Sequence, residues 1–263
     1  MTVVFKPTKI SVIIAILNSH RIVKRQIRHF RNMNLPDDIE IIFIDDGSDP
    51  PLSIFNEHGV PNLQIYPTND YRPWTQGLAR NLGAKIALGE YVFFTDIDHI
   101  LSYEALMAVH EFHDDKMEFP RHFGILDHKG NITQDVDILL QFGLSKARYK
   151  KHKLGAGYHT NTFAMKKSLF VELDGFNPRY CTSRFHVGGK YMSEERDFYL
   201  KFRRHVKAGL AHSQVLGPPI NVYPIGRFQE TGNENPFGLF HGASRVQEPQ
   251  PLLEGHIDAV SPP

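Results

Sequence analysis

The sequence predicts an α/β protein with a mostly parallel central sheet that is covered by helices on both faces. Three segments carry this prediction, and they are Lys9–Leu17, Ile39–Ile44 and Tyr91–Thr95. Each is apolar almost throughout, as expected of a parallel strand buried on both faces. Segments with helical periodicity lie between them, so the chain has the order of right-handed βαβ units.

Composition sets limits on the class of protein. The chain has 263 residues, 41% hydrophobic content and a formal net charge of +1. It can therefore bury a large core, and it has no overall attraction to nucleic acid or to a membrane surface. The single cysteine, Cys181, excludes an intramolecular disulfide. The apolar run Ile10–Leu17 is too short to span a bilayer, so we expect no transmembrane segment and a cytoplasmic location.

The first hundred residues are expected to form the parallel half of the sheet. Asn18 and Ser19 offer N-cap side chains to a helix over His20–Met33. We interpret the basic outward face of this helix as solvated, with a binding patch as the alternative. A short strand is predicted at Leu63–Tyr66, and a helix at Gln76–Leu88 precedes the central strand.

The periodicity is weaker after residue 101. We predict a helix at Tyr103–Phe112, and short strands at Phe123–Leu126 and Ile138–Leu140. The basic run Lys146–Lys153 is interpreted as a solvated loop, with contact to phosphate or nucleic acid as the alternative. Three further elements are predicted: a turn at Gly155–Gly157, a strand at Asn161–Met165 and a helix at Ser168–Leu173.

Acidic pairs follow two of the predicted strands. Asp96 and Asp98 end the central strand, and Asp45 and Asp46 end the second strand. Because ligands bind at the carboxyl ends of such strands, the first pair suits Mg²⁺ or Mn²⁺ and a phosphate-bearing substrate. The alternative for the first pair is a helix N-cap. The second pair suits a nucleotide's sugar or base, with an Asx turn as the alternative.

A further acidic pair begins a predicted helix. Ser193 is a favoured N-cap residue, and Glu194 and Glu195 follow it at the positive end of the helix dipole. This placement explains both acids structurally. A catalytic role would require one of them to face a cleft as a general base.

Four segments resemble motifs of glycosyltransferase family 2, in the same order as in that family. They are ISVIIAILN, IIFIDDGSDP, ARNLGAKIALGEYVFFTDID, and FAMKKSLFVELDGFNP followed by SEERDFYLKFRRHVKAG. Together they cover about residues 9–209, and the third is the most specific. The resemblance implies the GT-A fold, with a Rossmann-like nucleotide-binding half and an acceptor-binding half.

The resemblance also implies roles for individual residues. Asp46 would contact the nucleotide base, with Asp45 beside it, and Arg80 would help to hold the nucleotide. Asp96 would contact the ribose or a metal-bound water, and Asp98 would bind the Mn²⁺ or Mg²⁺ ion.

The catalytic position and the base-binding position depart from the family pattern. Glu195, with Glu194 before it, stands at the position of the general base, where the family has an aspartate. Leu17 stands where the family usually has an aromatic residue beside the nucleotide base. The third metal ligand is not fixed by a motif, and His241 is our first candidate and His186 our second.

Three residues are expected to contact the acceptor. Trp74 lies in one loop and Asn161 in another, the segment His159–Asn161, where relatives contact the sugar or the acceptor. Packing is the alternative for both loops. Asp197 follows the expected general base on the same helix.

We therefore expect a metal-dependent, inverting glycosyltransferase that uses a UDP-sugar by default and acts on a glycan hydroxyl, as in polysaccharide biosynthesis. Two alternatives stay open: transfer to hydroxymethylated bases in DNA, and a non-catalytic module that binds sugar nucleotides. The expected catalytic domain is residues 1–220, with a nucleotide-sugar half at about 1–100 and an acceptor half at about 101–220. Residues 221–263 would be a C-terminal extension with a flexible last part.

Overall fold

Strands and helices alternate along the chain in the computed structural model, which describes residues 8–70, 72, 75–181, 185–187, 190–212 and 215–224. The strands are β1 (Ile10–Ile16), β2 (Ile39–Asp45), β3 (Leu63–Pro67), β4 (Tyr91–Asp96), β5 (His99–Ile100), β6 (Lys116–Glu118), β7 (Arg121–Phe123), β8 (Ile125–Leu126), β9 (Ile132–Thr133), β10 (Gly155–Gly157), β11 (Phe163–Lys166), β12 (Phe185–Val187), β13 (Lys190–Met192), β14 (Val215–Leu216) and β15 (Ile220–Val222). The helices are α1 (His20–Met33), α2 (Gln76–Ile86), α3 (Tyr103–His110), α4 (Val136–Gln141), α5 (Lys146–His152), α6 (Lys167–Glu172), α7 (Pro178–Cys181) and α8 (Glu194–Lys207), and a 3₁₀ turn spans Leu52–Phe55.

The main sheet has seven strands in the order β14-β6-β11-β4-β1-β2-β3. Strands β4, β1, β2 and β3 are parallel neighbours, and β11 runs antiparallel to β4 and β6. The prediction of a mostly parallel sheet is therefore confirmed. Strand β4 is the middle strand, so its carboxyl end opens at the centre of one sheet edge.

Both faces of the sheet are buried, as the unbroken apolar runs predict. Successive residues of β1 belong to different hydrophobic clusters. Val12 lies in the cluster that contains Ile22 of α1, whereas Ile13 lies in the cluster that contains Leu78 of α2. Side chains of β1 therefore meet a helix on each side of the sheet in alternation.

A four-stranded sheet with the order β10-β7-β15-β5 lies beside the carboxyl end of β4. Strand β15 continues through the boundary expected between residues 220 and 221, and it pairs with β5 and β7. Among the described residues, no helix is long and apolar enough to cross a membrane.

Four local predictions are wrong. No side chain caps helix α1, because the Ser19 hydroxyl donates to the carbonyl of Leu17 at 2.8 Å instead. Side-chain caps explain two of the other three. Residues Ile138–Leu140 lie in helix α4, because Asp135 accepts a hydrogen bond from the Ile138 amide at 3.0 Å. The basic run forms helix α5, which is capped in the same way by Ser145. The predicted turn at Gly155–Gly157 is strand β10, which pairs with β7.

Gly83 sets the distance between helix α2 and the sheet. A Cβ atom at this position would lie 2.4 Å from Cγ2 of Ile13 and 3.4 Å from Cγ1 of Ile44. The helix can therefore approach β1 and β2 closely only without a side chain here. This approach positions Arg80, one turn earlier on α2, against the end of β4.

We expect Gly83→Val to lower the free energy of unfolding by about 1–3 kcal/mol, because overpacking forces the helix away from the sheet. Thermal unfolding followed by circular dichroism measures the change. The matched control is Lys85→Val, which places the same side chain at an exposed position of the same helix. Equal melting temperatures for the two variants would contradict this account of the packing.

Candidate active site

The candidate site lies where strand β4 ends. Asp96 is the last residue of β4, and Asp98 lies two residues later, in the turn that leads into β5. The capping alternative is wrong for both acids, because the next helix, α3, is capped by Ser102. The Ser102 hydroxyl accepts a hydrogen bond from the Ala105 amide at 3.2 Å. Neither carboxylate is therefore needed to begin a helix.

Asp96 is held by donors from two directions. Its Oδ1 forms an ion pair with Arg80, whose side chain is fully buried, and accepts a hydrogen bond from Gln76 Nε2 at 3.0 Å. Its Oδ2 lies 3.4 Å from Asn161 Nδ2 and 3.7 Å from His159 Nδ1. Burial opposes ionisation, but the Arg80 guanidinium lowers the pKa of Asp96 below its usual value. Arg80 therefore favours the ionised form of Asp96.

The pKa of Asp98 is shifted in the opposite direction from that of Asp96. Burial and the charge of Asp96 raise the pKa of Asp98 to about 7, and Arg121 offsets only part of this rise. The two carboxylates thus repel each other in a partly desolvated site. A cation between them would stabilise the ionised form of Asp98.

His99 is neutral and has a defined tautomer. Its Nδ1 lies 2.5 Å from the Thr162 hydroxyl, and its Nε2 lies 3.2 Å from Nη1 of Arg121. Because a guanidinium can only donate, Nε2 is the acceptor and the proton is on Nδ1. Burial, together with the Arg121 charge, lowers the pKa of His99 to about 3, although Asp96 acts in the other direction.

Arg121, the first residue of β7, is fixed beside the acids by main-chain carbonyls. Its Nε donates to the carbonyl of Gly157 at 3.1 Å, and its Nη2 donates to those of Ala156 and Tyr158 at 3.2 Å each. The guanidinium also interacts electrostatically with Asp98 and with Asp96. The site therefore contains a second positioned cation in addition to Arg80.

Asp45 and Asp46 differ in their surroundings. The two carboxylate oxygens of Asp45 accept hydrogen bonds from the amides of Ser48 and Leu52, each at 2.8 Å. This is the local loop-forming role given above as the alternative. Both carboxylate oxygens of Asp46 lie 2.7 Å from the hydroxyl of Thr75, which is the residue before α2 and donates the hydrogen bond.

The acidic pair of α8 separates into a buried residue and a half-buried one. Ser193 caps the helix as predicted, since its hydroxyl accepts a hydrogen bond from the Arg196 amide. Glu194 is only 5% exposed. Glu195 is half-buried, and its charge acts on His159, which lies next to Asp96. The Asp197 carboxylate lies 3.5 Å from Lys201 Nζ, in an ion pair along the helix.

The structure brings several of the predicted residues together. Arg80, Asn161, Asp96 and Asp98 lie in one cluster, and the charge of Glu195 acts on His159, which lies beside Asp96. Leu17 is half-buried and directly follows β1, the neighbour of β4.

Three of the candidates lie outside what is described. Trp74 and His241 are outside the described residues, and His186 lies in β12 with its side chain outside that description.

Sequence reasoning did not select four residues of this cluster: Gln76, His99, Arg121 and Thr162. The position of His99 directly after Asp98 was a signal for it. Arg121 and Thr162 had no local signal, because strand pairing in the second half of the chain places them here.

The donor set fits a hard divalent cation. Mg²⁺ and Mn²⁺ prefer carboxylate oxygens, which Asp96 and Asp98 supply. Ligand atoms of Asp96, His99 and His159 also lie within 4.8 Å of one another. Both ring nitrogens of His99 have hydrogen-bond partners, whereas His159 accepts only from the Asn161 amide, at Nδ1, among the described residues. His159 is therefore the better nitrogen donor of the two.

Comparison with known proteins identifies relatives of the chain. The sequence profile of Glycosyl transferase family 2 matches residues 11–173. A curated relative, the poly(ribitol-phosphate) beta-glucosyltransferase of Bacillus spizizenii, is 34% identical over 110 residues, which are 40% of this chain and 17% of that protein. The chain thus spans about a sixth of that relative's length.

Two solved structures show the same fold, the GT-A fold predicted from the sequence. Residues 1–349 of S. aureus TarS in complex with UDP give a TM-score of 0.53 at 20% identity, covering 79% of this chain and 57% of that one. The mannosyltransferase PcManGT from Pyrobaculum calidifontis, in complex with GDP-Man and Mn²⁺, gives 0.53 at 15% identity, covering 83% and 57%.

We expect Asp98→Asn to raise the melting temperature in EDTA at pH 8, by about 2–4 °C for each kcal/mol of repulsion removed. The raised pKa of Asp98 means that the folded protein retains a proton that the unfolded chain loses, so stability falls as pH rises from about 4 to about 7. Melting temperatures of both proteins at pH 5 and pH 8 test this, because the gap should open only at the higher pH.

The matched control is Asp96→Asn, which leaves the buried Arg80 guanidinium without its anion. We expect this variant to lose stability at both pH values, by about 3–5 kcal/mol. Parallel pH profiles for the wild type and Asp98→Asn would contradict the electrostatic account of the acidic pair.

Proposed function

The chain belongs to Glycosyl transferase family 2, and from this premise we propose that it transfers a sugar from a nucleoside-diphosphate sugar to a hydroxyl of a glycan acceptor. The observation that carries the proposal is the convergence of three acids. Asp96 and Asp98 lie at the carboxyl end of β4, and the charge of Glu195, at the start of α8, acts on His159, whose Nδ1 lies 3.7 Å from Asp96. Open α/β sheets bind their ligands at such an edge.

UDP is our default for the donor nucleotide. One structural neighbour is a complex with UDP, and another is a complex with GDP-Man and Mn²⁺. Asp46 and the half-buried Leu17 would face the base, and Asp96 would face the ribose. Arg80 would act through Asp96, because its side chain is fully buried. Asp45 would support the same loop, since its oxygens hold main-chain amides.

Asp98 and Asp96 would hold Mn²⁺ or Mg²⁺, and His159 is a candidate for the nitrogen donor among the described residues. When bound, the ion supplies positive charge that stabilises the leaving diphosphate. Arg121 would add a fixed positive charge on the same side of the site.

Glu195 would be the general base. The acceptor oxygen attacks the anomeric carbon, and its proton passes to the Glu195 carboxylate. The bond between the anomeric carbon and the diphosphate oxygen breaks, and its electron pair leaves with the nucleoside diphosphate. A single displacement of this kind inverts the anomeric centre. The burial of Glu194 favours Glu195 for this role.

The acceptor would approach from the half of the chain after residue 101. Asn161 lies beside Asp96, so its contact would be with the sugar near the reacting centre. Asp197 and Trp74 are further candidates for acceptor contacts. The curated relative acts on poly(ribitol-phosphate), which makes an anionic glycan polymer our preferred acceptor class.

The donor proposal predicts that UDP and its sugars, with Mn²⁺, raise the melting temperature, and that EDTA abolishes the shift. A ligand at 100 times its Kd stabilises the folded state by about 2.7 kcal/mol. A thermal-shift screen of UDP, GDP, CDP and dTDP measures this and identifies the base. If none of the four nucleotides shifts the melting temperature of the folded protein, the proposed donor site is contradicted.

The catalytic proposal predicts that Glu195→Gln lowers turnover by about 10²-fold or more but leaves UDP affinity unchanged, since only the proton acceptor is lost. Transfer from a radiolabelled UDP-sugar and titration calorimetry with UDP measure the two effects. The matched control is Glu172→Gln, the same substitution at an exposed glutamate. Wild-type turnover in Glu195→Gln, with loss in Glu194→Gln, would assign the base to Glu194.

A further inference from the structure

Two helices carry concentrated positive charge, and they use it differently. On α1, three of the four arginines are bonded to main-chain carbonyls of neighbouring segments. Arg25 donates to the carbonyl of Leu126, and Arg28 donates to that of His128. Arg31 donates likewise to the carbonyl of His58. These side chains fasten α1 to the rest of the fold.

The cations of helix α5 have no such attachment. The helix and the residue after it carry basic side chains and no acidic one, and all of the basic side chains are exposed: Lys146, Arg148, Lys150, Lys151, His152 and Lys153. Within the described part of the chain, no carboxylate lies within ion-pair distance of any of them. Concentrated charge of one sign attracts polyanions through counterion release.

The helix is attached next to the active site. The Arg148 guanidinium lies 4.6 Å from the ring centroid of Phe123, and the Phe123 amide donates to the carbonyl of Leu154 at 2.7 Å. Phe123 ends β7, the strand that begins with Arg121. Arg121 interacts electrostatically with Arg148 on one side and with Asp98 on the other. Positive charge thus extends from the acidic pair to the exposed surface of α5.

We propose that α5 is the docking surface for an acceptor polymer whose units are linked by phosphodiesters. The inference rests on the function proposed above, and it identifies the substrate class of that site. A polyol or sugar phosphate polymer combines the two properties that the neighbouring surfaces require. Its phosphates match the exposed cations, and each unit offers a hydroxyl to the general base.

Duplex DNA is less suited to these surfaces. Its base hydroxyls exist only after a separate modification, whereas every unit of a polyol phosphate polymer carries hydroxyls. The cations are confined to one helix of two turns, which matches a single flexible strand of phosphates.

The test compares two triple variants of the full chain with the same change in charge. The first is Lys146→Gln with Lys150→Gln and Lys151→Gln, and it retains Arg148 because that side chain packs on Phe123. The control removes three exposed lysines from other surfaces, namely Lys24→Gln with Lys85→Gln and Lys129→Gln. Melting temperatures establish that both variants are folded.

Fluorescently labelled poly(ribitol phosphate), neutral dextran and duplex DNA are the probes, and anisotropy is recorded at several salt concentrations. We expect the wild type to prefer poly(ribitol phosphate). The α5 variant should bind it about tenfold more weakly or worse, with a salt slope smaller by about two, because three phosphate contacts are lost. The control should bind as the wild type does. In transfer assays, KM for the polymer should rise and kcat should not change.

Equal binding by the wild type and the α5 variant would overturn the proposal, as would an equal loss in the control. Tighter, α5-dependent binding of duplex DNA would assign the surface to nucleic acid instead. UDP binding with Mn²⁺ is measured in the same samples to separate the two levels of inference. If UDP binds and the polymer does not, only the docking surface fails. If the polymer binds through α5 and UDP does not, the proposed transferase function fails and the docking surface is retained.

Discussion

The ion pair between Arg80 and Asp96 is the interaction on which the site depends. The Arg80 side chain is fully buried, so its charge requires an anion in contact with it. Within the described residues its Nε and Nη1 have no hydrogen-bond partner, and the ring of Phe176 lies 5.6 Å from the guanidinium carbon. Asp96 is therefore the group that compensates this charge. The pair fixes helix α2 against the end of β4, where the close approach at Gly83 allows it.

The negative charge of Asp96 acts on the pKa values of its neighbours. It raises the pKa of Asp98, which has less positive charge near it, and it does not overcome the desolvation that keeps His99 neutral. The folded protein therefore contains a repulsion between the carboxylates of Asp96 and Asp98, which lowers its stability. Sites that store unfavourable energy of this kind are commonly functional, because a ligand can relieve it. A divalent cation is the ligand whose charge and preferred donors match this need.

The sequence predicts the parallel half of the fold well, and for a physical reason. Strands β1, β2 and β4 are buried on both faces, so their apolar runs are unbroken and separated by helices of ordinary length. Helices α4 and α5 have six and seven residues, which is too short for periodicity to show, and single caps at Asp135 and Ser145 specify them.

The site was predictable to the extent that it is local. Asp96 and Asp98 are found from their position at a strand end, whereas His99, Thr162 and Arg121 meet through strand pairing. Their contacts join residues 22 and 63 positions apart in the chain. Asp45 shows the converse, since the same acidic pattern at a strand end supports a loop rather than an open carboxylate. A strand-end acid thus marks a candidate, and its hydrogen-bond partners decide its role.

The same criterion separates the two basic helices. A sequence pattern of closely spaced arginines and lysines is common to α1 and α5, and it gives no distinction between a structural and a binding role. The hydrogen-bond partners of the side chains distinguish the two roles. On α1, the guanidiniums of Arg25, Arg28 and Arg31 donate to carbonyls, so removing them would leave main-chain acceptors unpaired and weaken the fold. The α5 cations repel one another, and no carboxylate among the described residues lies within ion-pair distance of them. The exposed cations of α5 cost stability, and Arg121 links them to the acidic pair Asp96 and Asp98. A long anionic ligand that binds α5 and also extends to the acidic pair accounts for both features.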